Sequence, residues 1–315
     1  MRILTALLLA IFFVPANISS AAKPNVILIS VDDLNDWVGC LAGHPQAFTP
    51  NIDRLAERGV LFANAHCQAP VCQPSRASLM VSRLPSSTGL YFLNPGLPQS
   101  EVTKNETTLP EAFAADGYKV MGAGKLFHHE ANQRIFSRVG EYGGNFHAFG
   151  PRPEKKISQP HGHPLWDWGA FPERTQQMPD DKIASGEQDK LPADYGPPYH
   201  VPMYVPQKWF DLHPLEKVQL PLITEGDIHD LPTYGRNLTT LKHVAPEHQW
   251  VKSSGQWPHA VQSYLASVSF VDSCVGMVLD ALEKRGDKEN TIICLSSDHG
   301  FHLVEKERWA TRSLW

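Results

Sequence analysis

The segment Asn25-Val-Ile-Leu-Ile-Ser-Val31, followed directly by Asp32 and Asp33, decides the fold class. Its short apolar run is rich in β-branched residues and is bounded by Pro24 on one side and the two aspartates on the other. Such a run predicts a fully buried strand. Strands of this kind belong to parallel sheets covered by helices, so the segment favours an α/β domain.

Helices and strands are predicted to alternate along the rest of the chain. Thr49 and Pro50 supply an N-cap and a first helical position, and Gly59 closes that helix. The other predicted elements are a strand at Val60–Ala65, a helix at Thr108–Asp116 ended by Gly117, a strand at Tyr118–Ala123, a helix at His259–Lys284 and a strand at Thr291–Ser296. This alternation predicts an α/β three-layer sandwich with a mainly parallel central sheet.

The composition narrows the class of protein. The chain has 315 residues, of which 42% are apolar, so it can bury a core. Lys and Arg number 28 against 33 Asp and Glu, and no block of like charge occurs. We therefore expect no nucleic-acid partner and no acidic membrane surface as a partner.

The N-terminus has the pattern of a secretory signal peptide over residues 1–22. Arg2 precedes an apolar run from Ile3 to Val14, and small residues follow around Ala22. The run is too short to span a bilayer, and the alternative is a buried N-terminal core helix. We expect an exported protein, periplasmic or extracellular, whose catalytic domain occupies residues 23–315.

The five cysteines of the chain leave at least one unpaired, and none forms a C-x-x-C pair, so a zinc ribbon is not expected.

The middle of the chain, about residues 130–258, has little periodicity. It holds 16 of the 26 prolines between Pro151 and Pro258, which predicts long ordered loops instead of regular elements. Loops of this length usually shape a binding site.

Charged residues follow three of the predicted strands. Asp32 and Asp33 end the first strand, Lys125 follows the third, and Asp298 and His299 end the last. Ligands of open α/β sheets lie at the carboxyl ends of the strands, and adjacent carboxylates repel each other unless a cation lies between them. The pattern predicts a site for Ca²⁺ or Mg²⁺. An Asx-turn or helix cap is the alternative for Asp32 and Asp33 taken alone.

The stretch Cys72-Gln-Pro-Ser-Arg-Ala-Ser-Leu-Met80 carries the second functional signal. With Pro74 at the first helical position, Cys72 lies at a helix N-terminus, which favours an anion. Arg76 is one turn further on. The pattern predicts an activated nucleophile beside an anion site, and the alternative is a structural or disulfide-bonded cysteine.

This stretch resembles the signature of the type I sulfatases of the alkaline phosphatase superfamily, in which the cysteine is oxidised to formylglycine. The runs Val71-Cys72, Gly124-Lys-Leu-Phe-His128 and Ser263-Tyr-x-Ala-Ser-Val-Ser-x-x-Asp272 are most similar to the iduronate-2-sulfatase branch. The resemblance implies hydrolysis of sulfate esters on a sulfated sugar or polysaccharide, with a uronic acid as the sulfated unit. It also implies a formylglycine-generating enzyme as a partner during maturation and, by family analogy, a lysosomal location as an alternative to export from a bacterium.

The resemblance also implies residue roles. It assigns one Ca²⁺ to Asp32, Asp33, Asp298, His299 and the formylglycine derived from Cys72. Arg76 and Lys125 would stabilise charge on the sulfuryl group. His128 would take a proton from the hydrated aldehyde, and His200 would protonate the leaving oxygen.

Four departures from the family pattern occur. They are Met80-Val-Ser-Arg83 in place of Leu-Thr-Gly-Arg, a short polar stretch at Gly186–Pro198 in place of a strand, Thr311 with Arg312 next to it in place of a lysine, and Val304 in place of a glycine. Family members run well past the position of Trp315. We therefore expect that the chain is a fragment or a decayed copy with an incomplete sheet, and that it folds poorly alone.

The alternatives for function are a phosphate or phosphonate monoester hydrolase of the same superfamily and a non-catalytic remnant.

Overall fold

The computed structural model describes residues 22–129, 135–143, 153–158, 166–174, 177–178, 202–224, 226–239 and 245–312. The predicted signal peptide, His200 and the Gly186–Pro198 stretch lie outside these residues, except for Ala22 at the end of the signal peptide. The helices are α1 Pro50–Glu57, α2 Cys72–Val81, α3 Pro85–Thr88, α4 Leu109–Ala115, α5 Phe136–Val139, α6 Gln207–Phe210, α7 Thr233–Thr239, α8 His248–Ser253 and α9 Trp257–Arg285. The strands are β1 Asn25–Val31, β2 Val120–Ala123, β3 Gly140–Gly143, β4 Trp168–Ala170, β5 Met203–Val205 and β6 Thr291–Ser297.

Every strand pairing among the described residues is parallel. β1 pairs with β6, β2 with β3, and β4 with β5, which gives three two-stranded sheets in this part of the chain. The predicted α/β class is confirmed, as are the first and last predicted strands. The middle region is more regular than expected, because β3, β4, β5 and four short helices lie in it.

The main core lies between the β1–β6 sheet and the long helix α9. Ile29 of β1 and Ile293 and Leu295 of β6 pack against a cluster that includes Val261, Leu265 and other side chains of α9. The opposite face of the sheet is not covered by described residues, since Val26 of β1 is 37% exposed and its pairing partner Ile292 of β6 is 51% exposed. The expectation of a first strand buried on both faces is therefore wrong in this part of the chain.

Helix α9 is apolar on most of its surface. It is the one described helix that is long and apolar enough to cross a membrane, but its buried residues form the core just described. Gly276 lets α1 approach closely, since a Cβ atom there would lie 2.6 Å from Cγ of Asn51. Helix α9 therefore has the character of a core helix.

The N-terminus of α1 is capped from α9. Thr49 makes no side-chain capping bond, contrary to the prediction, and its hydroxyl instead donates to Asp53. Asp272 accepts hydrogen bonds from the backbone N–H groups of Asn51 and Ile52, at 3.0 and 2.8 Å. A carboxylate contributed by another helix therefore satisfies the donors that a local cap would satisfy.

The segment Val60–Ala65 is not a strand. Val60 is 81% exposed and Phe62 is 76% exposed, and no described strand pairs with them. An apolar run without a neighbouring strand has no hydrogen-bond partners for its backbone, so local composition alone does not make it a strand. The helix that begins after Thr108 is confirmed, with a capping box between Thr108 and Glu111.

We expect Asp272→Ala to lower the free energy of unfolding by about 2 kcal/mol, because it leaves buried N–H groups at the start of α1 without an acceptor. The matched control is Asp280→Ala on the same helix. Asp280 pairs with Arg54 while 55% exposed, so its loss should cost less than about 1 kcal/mol. Urea unfolding of both variants measures the difference, and equal costs would contradict the capping role of Asp272.

Candidate active site and metal centre

The β1–β6 pairing sets the position of the site. In this register Val31 lies beside Ser297, so the chain leaves both strands at the same edge of the sheet. Asp32 and Asp298 are the next residues of the two strands. Two acidic strand ends are therefore side by side, as the sequence pattern predicted.

Helix α2 is fastened to the end of β6 by two contacts. The Ser75 hydroxyl donates a hydrogen bond to the carbonyl oxygen of Asp298, and Arg76 Nε lies 2.8 Å from Asp298 Oδ2. Both Arg76 and Asp298 are almost fully buried. These contacts hold Cys72, the first residue of α2, against the strand ends, where its Sγ lies 3.4 Å from His299 Nε2.

Four potential ligands converge at this point. One donor atom from each of Asp32, Cys72, Asp298 and His299 lies within 4.8 Å of the other three. Two oxygens that each lie ~2.3 to 2.6 Å from the same Ca²⁺ are at most about 5 Å apart, so the spacing suits a single cation. Asp33 is adjacent to this group, with its Oδ1 3.3 Å from His299 Nδ1 and its amide donating to Asp298 Oδ1.

The carboxylates crowd one another. Burial, together with repulsion from Asp32 and Asp298, raises the pKa of Asp33 well above its ordinary value. Burial and repulsion from Asp32 also raise the pKa of Asp298, although Arg76 acts in the opposite direction. A bound divalent cation would offset this repulsion, and the carboxylate and imidazole donors of the group fit such an ion.

Two basic side chains lie beside the carboxylates. Lys125 Nζ is 2.5 Å from Asp32 Oδ2, and Arg76 Nη1 donates a hydrogen bond to the carbonyl oxygen of Lys125. Burial would lower the pKa of Lys125, but attraction to Asp32 outweighs it, and the pKa is raised. Both groups therefore remain positively charged next to Cys72.

The surroundings of Cys72 do not favour its thiolate when no cation is bound. Burial raises its pKa well above the ordinary value, and the lowering effect of Lys125 is opposed by Asp32, Asp298 and Asp33. Helix α2 begins at Cys72, so Pro74 is its third residue and not its first. Proline is tolerated there because the first N–H groups of a helix have no intrahelical partner. The disulfide alternative does not hold either, because all five cysteines are free.

The two predicted catalytic histidines differ in what the structure shows. His128 lies three residues beyond Lys125 in the segment after β2, half-buried, with its ring edge-on to that of His129 at 5.1 Å. His200 lies outside the described residues. Their roles in proton transfer remain predictions.

Sequence reasoning gave no role to two residues that support the site. Tyr264 of α9 donates a hydrogen bond from its hydroxyl to the Asp33 carbonyl at 2.7 Å and accepts one from the Asn35 amide at 2.9 Å. Ser75 acts on Asp298 as described above. Ser75 and Tyr264 both lie within the motifs that carry the family resemblance, so the sequence marked them for attention. A motif does not show which group a hydroxyl binds.

The chain is similar in sequence to known sulfatases and in fold to known hydrolases. The sulfatase family profile matches residues 24–313. A sulfatase of Formosa agariphila is 42% identical over 93% of this chain and 62% of its own length, and the iduronate 2-sulfatase of Homo sapiens is 33% identical over 92% of this chain and 57% of its own length. The chain therefore spans less than two thirds of these relatives. The phosphonate monoester hydrolase of Agrobacterium radiobacter superimposes with a TM-score of 0.63 at 18% identity, over 92% of this chain and 64% of that structure.

The fold is thus the alkaline phosphatase-like α/β fold, as predicted. The chain belongs to the sulfatase family.

We expect Ca²⁺ to stabilise the protein more at about pH 7.5 than at about pH 5. With the pKa values of Asp33 and Asp298 raised, the folded protein without a cation binds protons that the unfolded chain has released. Its stability therefore falls as the pH rises through that window, and Ca²⁺ competes with the same protons for the site. At about 100 times Kd the gain in stability should reach about 2.7 kcal/mol.

Thermal melts with and without Ca²⁺ at both pH values measure this effect, and Asp298→Asn should remove most of it. Asp287→Asn, at an exposed carboxylate near the opposite end of β6, is the control that should retain it. A Ca²⁺ effect that is independent of pH, or unchanged by Asp298→Asn, would contradict a cation at this site.

Proposed function

We propose that this chain provides the catalytic centre of a sulfuric ester hydrolase that acts on a sulfated carbohydrate. One observation carries the proposal: Asp32, Asp298 and His299 converge on residue 72, with Arg76 and Lys125 beside them. A cation site and two fixed positive charges around one residue are the requirements for binding an anionic ester and stabilising additional negative charge during its cleavage.

Residue 72 is the proposed nucleophile in a modified form. The buried thiol has a raised pKa and is a poor nucleophile as it stands, which supports conversion of Cys72 to formylglycine by a formylglycine-generating enzyme. The hydrated aldehyde supplies a hydroxyl nucleophile. A Ca²⁺ ion held by Asp32, Asp33, Asp298, His299 and residue 72 supplies Lewis acidity at the ester oxygens.

The remaining residues act on charge and protons. Arg76 and Lys125 hold positive charge beside residue 72 and thereby attract the sulfate and stabilise its oxygens. We assign His128 to removal of a proton at residue 72 and His200 to protonation of the leaving sugar oxygen.

A sulfated uronic acid is the proposed substrate unit. The similarity to iduronate 2-sulfatase supports it, and so does that to a Δ4,5-hexuronate-2-O-sulfatase of Bacteroides thetaiotaomicron, 25% identical over 88% of this chain. Polysaccharide substrates of this kind lie outside the cell or in a lysosome, which accords with the proposed signal peptide at residues 1–22 and export.

One departure from the family pattern has a structural counterpart. Helix α2 ends at Val81, and Ser82 follows with a φ of 54°, in the left-handed region that favours glycine. The family pattern has glycine at this position. Serine there is strained in the folded chain, and it also changes the segment that the maturation enzyme would bind.

Peptide mass spectrometry across residue 72 tests the proposal directly. We expect a population in which Cys72 has lost its sulfur and become an aldehyde when the chain is produced with a formylglycine-generating enzyme. Cys67, five residues earlier and without a following Pro-Ser-Arg, is the internal control and should remain a thiol. Turnover of an aryl phosphate with none of an aryl sulfate would support the phosphomonoesterase alternative. An unmodified Cys72 and no turnover of either ester would support the non-catalytic one.

We expect Lys125→Ala to lower kcat for an aryl sulfate by roughly 10²-fold or more, because it removes a buried positive charge at the site. Lys119→Ala is the matched control. Lys119 lies in the same region but is 70% exposed and pairs with the exposed Glu141, so its loss should leave kcat unchanged. Steady-state kinetics of both variants decide the point, and wild-type kcat in Lys125→Ala would remove this residue from the mechanism.

A further inference from the structure

Arg308 is a buried cation without an acidic partner in the described part of the chain. Its side chain is among the largest that are fully buried. Its Nη1 donates to the carbonyl oxygen of Leu238 at 2.9 Å and its Nη2 to that of Thr311 at 3.1 Å. Its Nε has no hydrogen-bond partner among the described residues. Buried arginines are normally paired with carboxylates, so this charge is uncompensated there.

The described charge that shifts the pKa of Arg308 is a second positive one. Burial, followed by repulsion from Arg312, lowers the pKa of Arg308 to about 10. The charge of Arg308 also acts on His302. Burial and repulsion from Arg308 together lower the pKa of His302 to about 4. The two arginines therefore create a positive region in which no described carboxylate forms an ion pair with either.

This region adjoins the proposed active site. The backbone N–H of Arg312 donates to the carbonyl oxygen of Pro70 at 2.7 Å, and Pro70 is two residues before Cys72. Arg308 holds the other side of the same turn, because it binds the Thr311 carbonyl. Arg312 has a φ of 73°, a strained conformation for a residue with a Cβ, which persists only where the surroundings hold it.

Exposure separates Arg312 from the charges already assigned. Arg76 is 1% exposed, and Lys125 is largely buried and pairs with Asp32. Arg312 is exposed and its backbone is bound to the segment that leads into Cys72, so a ligand of the site can reach its guanidinium, whereas Arg308 is buried. An exposed guanidinium close to a second, buried positive charge favours an anionic ligand.

We propose that Arg312, supported by Arg308, forms a subsite for a second anionic group of the sugar, separate from the sulfate that is cleaved. The inference rests on the proposed function, because the first anion is taken to occupy the site at residue 72. The second anion is a carboxylate or a further sulfate on the same or the adjoining sugar, since both accept two hydrogen bonds from a guanidinium.

Binding to the inactive Cys72→Ala form of the full chain tests the subsite without turnover. The probes for isothermal titration are a disaccharide with one sulfate and one uronate carboxylate, a disaccharide with two sulfates and no carboxylate, and a neutral sugar with one sulfate. Each is titrated into Cys72→Ala alone and combined with Arg312→Gln, Arg312→Lys or Arg285→Gln. Arg285 is exposed and lies at the far end of α9, so it serves as the matched control.

We expect Arg312→Gln to raise Kd for at least one doubly anionic probe by roughly tenfold to a hundredfold and for the singly anionic probe by less than about twofold. Arg312→Lys should recover part of the loss, and Arg285→Gln should change nothing. Which doubly anionic probe responds identifies the carboxylate or the sulfate as the second group.

Three results would overturn the inference: no binding of either doubly anionic probe, an equal loss for all three probes, or no loss for any. The proposed function fails separately, through an unmodified Cys72 in the maturation experiment and no turnover of an aryl sulfate. Binding that depends on Arg312 would stand even then, as an anion subsite in a protein without that activity.

Discussion

Repulsion between carboxylates at the ends of two paired strands is the constraint on which the site depends. The parallel register of β1 and β6 brings Asp32 and Asp298 together, and Asp33 adds a third acidic group. Asp32 and Asp298 directly follow the last paired residues, so the strand pairing holds their backbones close together. The neighbouring features serve to offset this charge: Arg76 and Lys125 form ion pairs, and the convergent donor atoms suit a divalent cation. Burial, together with the same negative charge, raises the pKa of the Cys72 thiol.

Local pattern was sufficient for the features that depend on neighbours in sequence. The strand β1, the strand β6, the long helix α9 and the short helix after Thr108 all follow from short-range periodicity or helix-end preferences. The meeting of the two acidic strand ends also followed, because it needs only the rule that parallel strands end at one edge.

Features that depend on distant partners were not predictable in the same way. Thr49 is a residue type that commonly caps helices. The acceptor for the first backbone N–H groups of α1 is instead Asp272, more than 200 residues further on. Val60–Ala65 has strand composition without a described strand beside it. Cys72 has an activating local sequence, yet desolvation and carboxylates brought in by the fold determine its pKa. In each case tertiary contacts outweigh local propensity.

The contacts between α2 and the end of β6 also determine when residue 72 can be modified. Cys72 is 3% exposed once Ser75 and Arg76 are bound to Asp298, so an enzyme that modifies this residue must reach it before those contacts form. The contacts join residues separated by 222 and 223 positions. At synthesis rates of about 5 to 20 residues per second, Cys72 is made roughly 10 to 45 s before Asp298. The sequence separation between the two halves of the site therefore sets an interval during synthesis. Within this interval residue 72 is accessible to a maturation enzyme, and once the contacts form it is buried.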